Sequence, residues 1–288
     1  MSAWSVLPRR HSMPPRRTCE RSSRAKPHCS SLRSTPPPLP PLVSLPLRID
    51  DDDGTTLTVI KPICSSSAYD FYVAHGFDDC DPFWADVWPA SVALARHLFS
   101  VSCDFIRDAR VAELGCGLGV AGVAAAVRGK GRARCVALLD YEAHALSCAI
   151  ATAQASGAQV GSSDAAPSLD DGGATGVAAY EFDWTAPLPA LEAPFDVVLA
   201  SDVLYDKTQV PLIANVVCSL LGVNEHPSTG GTRRLLLADR ASGTARTPFV
   251  EKLKESGAAV VVRPFDSPLV VADDSASDVV LVEATWNL

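Results

Sequence analysis

The sequence lacks a long apolar segment. No run of about 18 uncharged apolar residues occurs, although 47% of the 288 residues are hydrophobic. A membrane-spanning helix is therefore not expected, while the apolar content is ample for a sizeable core.

Paired metal ligands are also missing. The nine cysteines are scattered without a CxxC pair, and the histidines show no metal-ligand spacing. We expect no metal site. A disulfide framework is unusual in a chain of this size, so we predict reduced thiols in an intracellular compartment.

Basic residues are scarce outside the N-terminus. The first 49 residues hold nine Lys or Arg and one acid, a net charge of +8, whereas the whole chain carries −8. The remaining residues therefore carry the difference, −16. Phosphate contacts need clustered Lys and Arg, so this acidic body predicts no nucleic-acid partner. A protein or small-molecule substrate is expected instead, with a monomer favoured.

The N-terminal segment is rich in Arg, Ser and Pro. Residues 1–47 predict a disordered basic leader without the apolar region of a secretory signal. Its composition is typical of a transit peptide for the chloroplast or mitochondrion, and an untargeted tail in the cytoplasm is the alternative. Residues 48–80 follow as an N-terminal β-hairpin extension, and residues 81–288 form the main domain.

Strand and helix patterns alternate through the main domain. Seven short apolar segments predict strands, with helical spacing between the first five and none between the last two. Alternation predicts an α/β fold with a doubly wound, seven-stranded, mostly parallel sheet, and the last two strands predict a C-terminal antiparallel hairpin. Ligands of such sheets bind at the carboxyl ends of the strands.

The segment 111–119, sequence VAELGCGLG, predicts a buried strand, a glycine-rich turn and the start of a helix. Asp140 ends the second strand about 20 residues later, which suits hydrogen bonds from ribose hydroxyls. Trp184 and Asp202 also follow predicted strands. These residues should converge at one edge of the sheet around a nucleotide-like ligand.

Two ligand classes compete for this turn. Residues 117–122 match G-x-G-x-x-G, which by itself is a weak signal for a dinucleotide. Glu113 argues against a pyrophosphate, because like charges repel, and a dinucleotide domain lacks the terminal hairpin. S-adenosylmethionine fits better, since it carries an ammonium group and a sulfonium.

The combined motifs resemble those of a known family. The segments ELGCG at 113–117 and FDVVLASD at 195–202 are similar to those of seven-β-strand methyltransferases. The segment FWADVWPAS at 83–91, Asp183-Trp184 and the Asp-x-x-Tyr segment 202–205 resemble family-16 protein lysine methyltransferases. Within that family, the likeness extends to the lysine methyltransferases that act on the electron-transfer flavoprotein β-subunit.

The resemblance implies roles for individual residues. The residues implied to bind S-adenosylmethionine are Trp88, Glu113, Gly115, Cys116, Gly117, Asp140, Trp184 and Ser201. We hypothesise that Asp202 orients the lysine amine and that Tyr205 lines the channel that the lysine side chain enters. In the alternative interpretation, Asp202 only caps the next helix and Tyr205 packs beneath it.

Several functions are consistent with these motifs. The first is transfer of methyl groups from S-adenosylmethionine to a protein lysine. The second keeps the cofactor but uses a small amine or another non-lysine acceptor, because one fold hosts many acceptors. A non-catalytic nucleotide-binding domain and a nicotinamide-dinucleotide oxidoreductase are the remaining alternatives.

Overall fold

An eight-stranded sheet forms the centre of the molecule, with a two-stranded sheet beside it. The structure is a computed structural model and describes residues 37–50, 54–80, 82–99, 101–161, 176–189, 191, 194–223, 231–265 and 278–288. Most of the predicted leader, and residues 162–175, lie outside the described residues.

The helices and strands have well-defined bounds. The strands are β1 (Leu42–Arg48), β2 (Thr56–Pro62), β3 (Arg110–Leu114), β4 (Cys135–Asp140), β5 (Gln159–Val160), β6 (Gly176–Glu181), β7 (Val197–Ser201), β8 (Thr232–Arg240), β9 (Ala259–Pro264) and β10 (Val279–Asn287). The α-helices are α1 (Ser65–Ala74), α2 (Pro89–Leu98), α3 (Val120–Val127), α4 (Ala143–Ala155), α5 (Val210–Leu221) and α6 (Arg246–Glu255).

The large sheet has the strand order β5-β6-β4-β3-β7-β8-β10-β9. The strands from β5 to β8 pair in parallel, and β10 is antiparallel to both β8 and β9. The predicted parallel sheet and C-terminal hairpin are confirmed. The sequence missed only the two-residue edge strand β5, which is too short to show a pattern.

Helices cover both faces of the sheet. Successive side chains of a strand point to opposite faces, so neighbouring residues of β4 pack against different helices. Val136 and Leu138 of β4 pack on one side with α2, α3 and α4. Ala137 and Leu139 pack on the other side with α5 and α6. The winding therefore reverses at β3, where the next strands are β4 on one side and β7 on the other.

The N-terminal extension differs in part from its prediction. The hairpin forms, but β1 begins at Leu42, inside the segment predicted as leader. The backbone N–H of Thr58 donates to the hydroxyl of Ser156, directly after α4, and that of Ile60 donates to the hydroxyl of Thr152 in α4, at 3.0 Å each, which docks the hairpin on the domain. Helix α1 was missed, because its N-cap is Cys64, an uncommon capping residue.

Six of the described cysteines are free and one is disulfide-bonded. The described structure has free cysteines at positions 64, 103, 116, 135, 148 and 218. Cys80, in the loop after α1, is disulfide-bonded, so the prediction of reduced thiols is wrong at that position. Within the described ranges, no helix is long and apolar enough to cross a membrane.

Candidate active site

The turn between β3 and α3 has backbone angles that require glycine. Gly115 has a φ of +64° and Gly117 a φ of +51°, in the left-handed region. A Cβ at position 115 would lie 2.8 Å from Cγ1 of Val203 and 3.8 Å from Cζ3 of Trp184. The backbone of the turn is thus held against residues that follow β6 and β7.

Asp140 fixes the turn from the neighbouring strand. Its Oδ2 accepts a hydrogen bond from the Gly117 N–H at 2.7 Å, and its Oδ1 accepts one from the Glu142 N–H at 3.0 Å. The Cys116 N–H donates to the Leu139 carbonyl at 3.0 Å. The end of β4 therefore positions both the turn and a carboxylate that is 8% exposed.

Glu113 lies behind the turn. Its side chain is fully buried, and Oε2 accepts a hydrogen bond from the Gly122 N–H at 2.8 Å, in the first turn of α3. Among the described residues, its Oε1 has no partner. Burial raises the pKa of Glu113 to about 8, with the bond to Gly122 opposing that change. In this position Glu113 supports the turn from inside the core.

Cys116 is also directed inward. It is buried in the core cluster with α3, and burial raises the pKa of its thiol well above the usual value. Its Sγ lies 3.8 Å from the Gly117 carbonyl oxygen. A thiol that stays protonated is a poor nucleophile, so Cys116 fits a packing role in the turn.

Aromatic side chains line the far side of the site. The rings of Trp184 and Tyr205 lie 6.3 Å apart, at an interplanar angle of 42°. Trp184 is half-buried, whereas Tyr205 is 48% exposed and does not pack beneath the following helix. The structure therefore brings together three predicted site residues, Gly115, Trp184 and Tyr205.

The loop before α2 forms the opposite wall. The Trp84 carbonyl oxygen would lie 3.9 Å from a Cβ at Gly117, and Trp88 Nε1 donates to the Phe83 carbonyl at 3.0 Å. Pro89 follows at the first turn of α2, where its missing N–H has no cost.

Two groups of the N-terminal extension hold this loop. Lys61 is buried, and its Nζ donates to the carbonyls of Pro62 and Ile63 and lies 3.8 Å from Oδ1 of Asp86. The Ser65 N–H donates to the same Asp86 oxygen at 3.1 Å. No local sequence pattern indicates this contact.

Asp202 occupies an unusual backbone position directly after β7. Its φ is +52°, and its N–H donates to the Ala238 carbonyl of β8 at 2.9 Å. Its carboxylate accepts two hydrogen bonds from Arg240, Nε to Oδ1 at 3.0 Å and Nη2 to Oδ2 at 2.6 Å.

The following helix does not use Asp202 as its cap. Asp206 caps the 3₁₀ turn before α5, with its Oδ1 accepting from the Thr208 N–H at 2.8 Å. The alternative interpretation of Asp202 as a helix cap is therefore wrong.

An open cavity lies between the start of α2 and the carboxyl ends of β7 and β8. Its lining includes Trp88, Asp202, Arg240, Ser242 and Asp278. Ser201 is the last residue of β7 and pairs with Ala238 of β8. It directly precedes Asp202, which lines the cavity. Two predicted site residues, Trp88 and Asp202, thus line this cavity, whereas its lining includes no residue of the glycine turn.

Residues 81–256 match the family model described as lysine methyltransferase. The chain belongs to the lysine methyltransferase family. The predicted lysine methyltransferase family is confirmed. The roles of the individual site residues stay predictions.

Two relatives match over short stretches. The electron transfer flavoprotein beta subunit lysine methyltransferase of Xenopus laevis is 47% identical over 45 residues, which are 16% of this chain and 18% of that protein. The Danio rerio protein of the same name is 40% identical over 62 residues, 22% of each chain. The matched stretches span about a fifth of these relatives or less.

Solved methyltransferases are among the structures that resemble this one. Magnesium protoporphyrin IX methyltransferase from Synechocystis PCC 6803, solved with bound SAH, has a TM-score of 0.45 and 16% identity, covering 77% of this chain and 98% of that chain. Precorrin-6y C5,15-methyltransferase from Geobacter metallireducens GS-15 has a TM-score of 0.46 and 16% identity, covering 69% and 87%.

The residues of this lysine methyltransferase-family site fit S-adenosylmethionine. Gly115 and Gly117 present backbone without a Cβ, so a ligand can approach closely. Asp140 supplies a carboxylate of low exposure beside the turn, where ribose hydroxyls could donate. The half-buried ring of Trp184 offers an apolar face for a heterocycle.

Sequence reasoning missed Arg240 as a functional residue. Its only signal was an Asp-Arg pair at the end of a predicted strand, on the same sheet edge as Asp202. The pairing itself depends on β7 and β8 being neighbours, which the sequence does not state directly.

Proposed function

We propose that this protein transfers methyl groups from S-adenosylmethionine to a lysine side chain of a protein, with Asp202 and Tyr205 at the acceptor. The observation that carries the proposal is the position of Asp202. Asp202 lines an open cavity at the carboxyl end of β7 and caps no helix, and the next residue, Val203, lies against Gly115 of the glycine turn.

The first task of the site is to hold the donor. S-adenosylmethionine, when bound, supplies an electrophilic methyl group on its sulfonium. Gly115 and Gly117 let that molecule lie against backbone, and Asp140 would accept hydrogen bonds from its ribose. Trp184 and Trp88 would bound the site on two sides and exclude water, which strengthens electrostatic interactions within it.

The second task is to present a neutral amine. A lysine ammonium has an ordinary pKa of about 10.4, so its proton must pass to solvent before the nitrogen can attack. This neutral nitrogen would take the methyl group that bound S-adenosylmethionine supplies, and the electron pair of the C–S bond would stay on sulfur. Asp202 would orient the amine by accepting one N–H, and Tyr205 would confine the lysine stem.

The electron-transfer flavoprotein β-subunit is the substrate that we propose to test first. The names of the two relatives support it, although their matched stretches are short. The basic leader supports a mitochondrial or plastid location, which imaging of a fusion to residues 1–47 would test. A protein acceptor also suits the acidic body, which attracts basic surfaces.

The test separates catalysis from cofactor binding. Radiolabelled methyl transfer to the recombinant β-subunit is measured for the wild type and for Asp202→Ala, and S-adenosylhomocysteine affinity is measured by calorimetry. We expect Asp202→Ala to abolish transfer and to leave the affinity nearly unchanged. Equal loss of both would refute the catalytic role of Asp202. Label that is found in a small-molecule fraction before any protease treatment would instead favour a small-amine acceptor.

A further inference from the structure

We propose that Arg240 neutralises the charge of Asp202, so that this carboxylate orients the acceptor lysine without stabilising its protonated form. The inference rests on the proposed function, because it concerns the same acceptor site. Arg240 would act through Asp202 and is therefore a positioning residue.

Arg240 binds the carboxylate of Asp202 in a bidentate manner. Nε and Nη2 of Arg240 each donate to a different oxygen of Asp202, which fixes the plane of the carboxylate. The side chain of Asp202 is 12% exposed, whereas that of Arg240 is 43% exposed at the cavity. The carboxylate keeps unused lone pairs, so it can accept an amine N–H while the pair stays intact.

A lone carboxylate would oppose the reaction. An opposite charge within about 4–6 Å favours the charged form of a lysine, and only the neutral amine attacks. A guanidinium in the same cavity has the reverse effect, because like charges disfavour protonation. The paired arrangement thus provides a hydrogen-bond acceptor with little net charge.

The other charges around the pair do not replace Arg240. Asp239 precedes it on β8, is buried, and forms an ion pair with Arg246 of α6 at 2.9 Å. Asp278, just before β10, lines the same cavity, and the first residues of α2 contribute no charge. Without Arg240, the carboxylates of Asp202, Asp239 and Asp278 would be balanced by the single guanidinium of Arg246. The site would then stabilise the protonated form of the acceptor lysine more strongly.

The experiment is a pH profile of kcat/KM for methyl transfer. The acceptors are the recombinant β-subunit of electron-transfer flavoprotein and, separately, total mitochondrial matrix protein. The variants are Arg240→Gln, Arg240→Lys and Asp202→Asn. Arg234→Gln is the matched control, because Arg234 forms an ion pair with Glu283 near the opposite end of β8.

We expect Arg240→Gln to lose at least tenfold in kcat/KM at pH 7.5 and to recover at higher pH, with its midpoint raised by about 1–2 units. Arg240→Lys should keep the wild-type midpoint, because it keeps the charge. The residual activity of Asp202→Asn should have a lowered midpoint, since the guanidinium then acts alone. Arg234→Gln should keep the wild-type profile, and S-adenosylhomocysteine affinity should stay constant throughout.

A loss in Arg240→Gln by the same factor at every pH, or no loss, overturns the inference. If Arg240→Gln does not fold, an unmoved midpoint in Asp202→Asn overturns it instead. Full activity of Asp202→Ala, which removes the acceptor altogether, contradicts the proposed role of Asp202 rather than that of Arg240. No transfer by the wild type to either acceptor refutes the proposed function and the inference together.

Discussion

Replacement of Glu113 by Gln should remove part of the fall in unfolding free energy that the wild type shows as the pH rises. Glu113 is fully buried, and burial raises the pKa of its carboxyl to about 8 in the folded protein, from 4.5. The folded state therefore binds a proton that the unfolded state releases between these values. The contribution of Glu113 to stability is fully present below about pH 4.5 and is lost as the pH rises through 8.

The size of the effect follows from the two pKa values. One unit of pKa difference corresponds to about 1.4 kcal/mol, so the wild type should lose roughly 2–3 kcal/mol through Glu113 between pH 6 and pH 8.5. Glutamine keeps an oxygen that can accept from the Gly122 N–H and carries no proton to lose.

Urea unfolding at the two pH values provides the test. The fall in unfolding free energy between pH 6 and pH 8.5 should be smaller in Glu113→Gln than in the wild type by that amount. Glu251→Gln, at an exposed position on α6, should show the wild-type fall. An equal pH dependence in Glu113→Gln and wild type would refute the assignment of a buried, protonated Glu113.

Three further predictions concern the turn, the extension and the helix cap. Gly117→Ala should weaken S-adenosylhomocysteine binding at least tenfold by calorimetry, about 1.4 kcal/mol, whereas Gly157→Ala, also at positive φ but in open space, should bind normally. Lys61→Met should lower the unfolding free energy by about 1–3 kcal/mol in urea, because two carbonyls lose their buried donor; unchanged stability would contradict that role. Asp206→Ala should cost about 0.5–2 kcal/mol through loss of the cap yet retain methyl transfer, the reverse of Asp202→Ala.

The sequence predicted the features that depend on local pattern. The alternation of apolar strands and helices specified the parallel sheet, and the glycine turn specified where a ligand approaches backbone. Helix α3 begins directly after the turn, as predicted, because a run of small apolar residues follows there.

Features that depend on contacts between distant segments were not predictable in this way. The ion pair of Asp202 and Arg240 joins residues 38 positions apart, and the contact of Lys61 with Asp86 joins the extension to the loop before α2. Neither has a local signal, since each depends on which elements become neighbours. Glu113 was predicted to disfavour a pyrophosphate and to bind S-adenosylmethionine, whereas its burial behind the turn depends on the packing of α3 on β3.

The central claim is that the protein methylates a lysine side chain with Asp202 at the acceptor. The most direct measurement is amino-acid analysis of the electron-transfer flavoprotein β-subunit after incubation with labelled S-adenosylmethionine and the wild-type protein. The account predicts label in methylated lysine, and none with Asp202→Ala. Label in any other amino acid, or no label in the protein fraction, would contradict it.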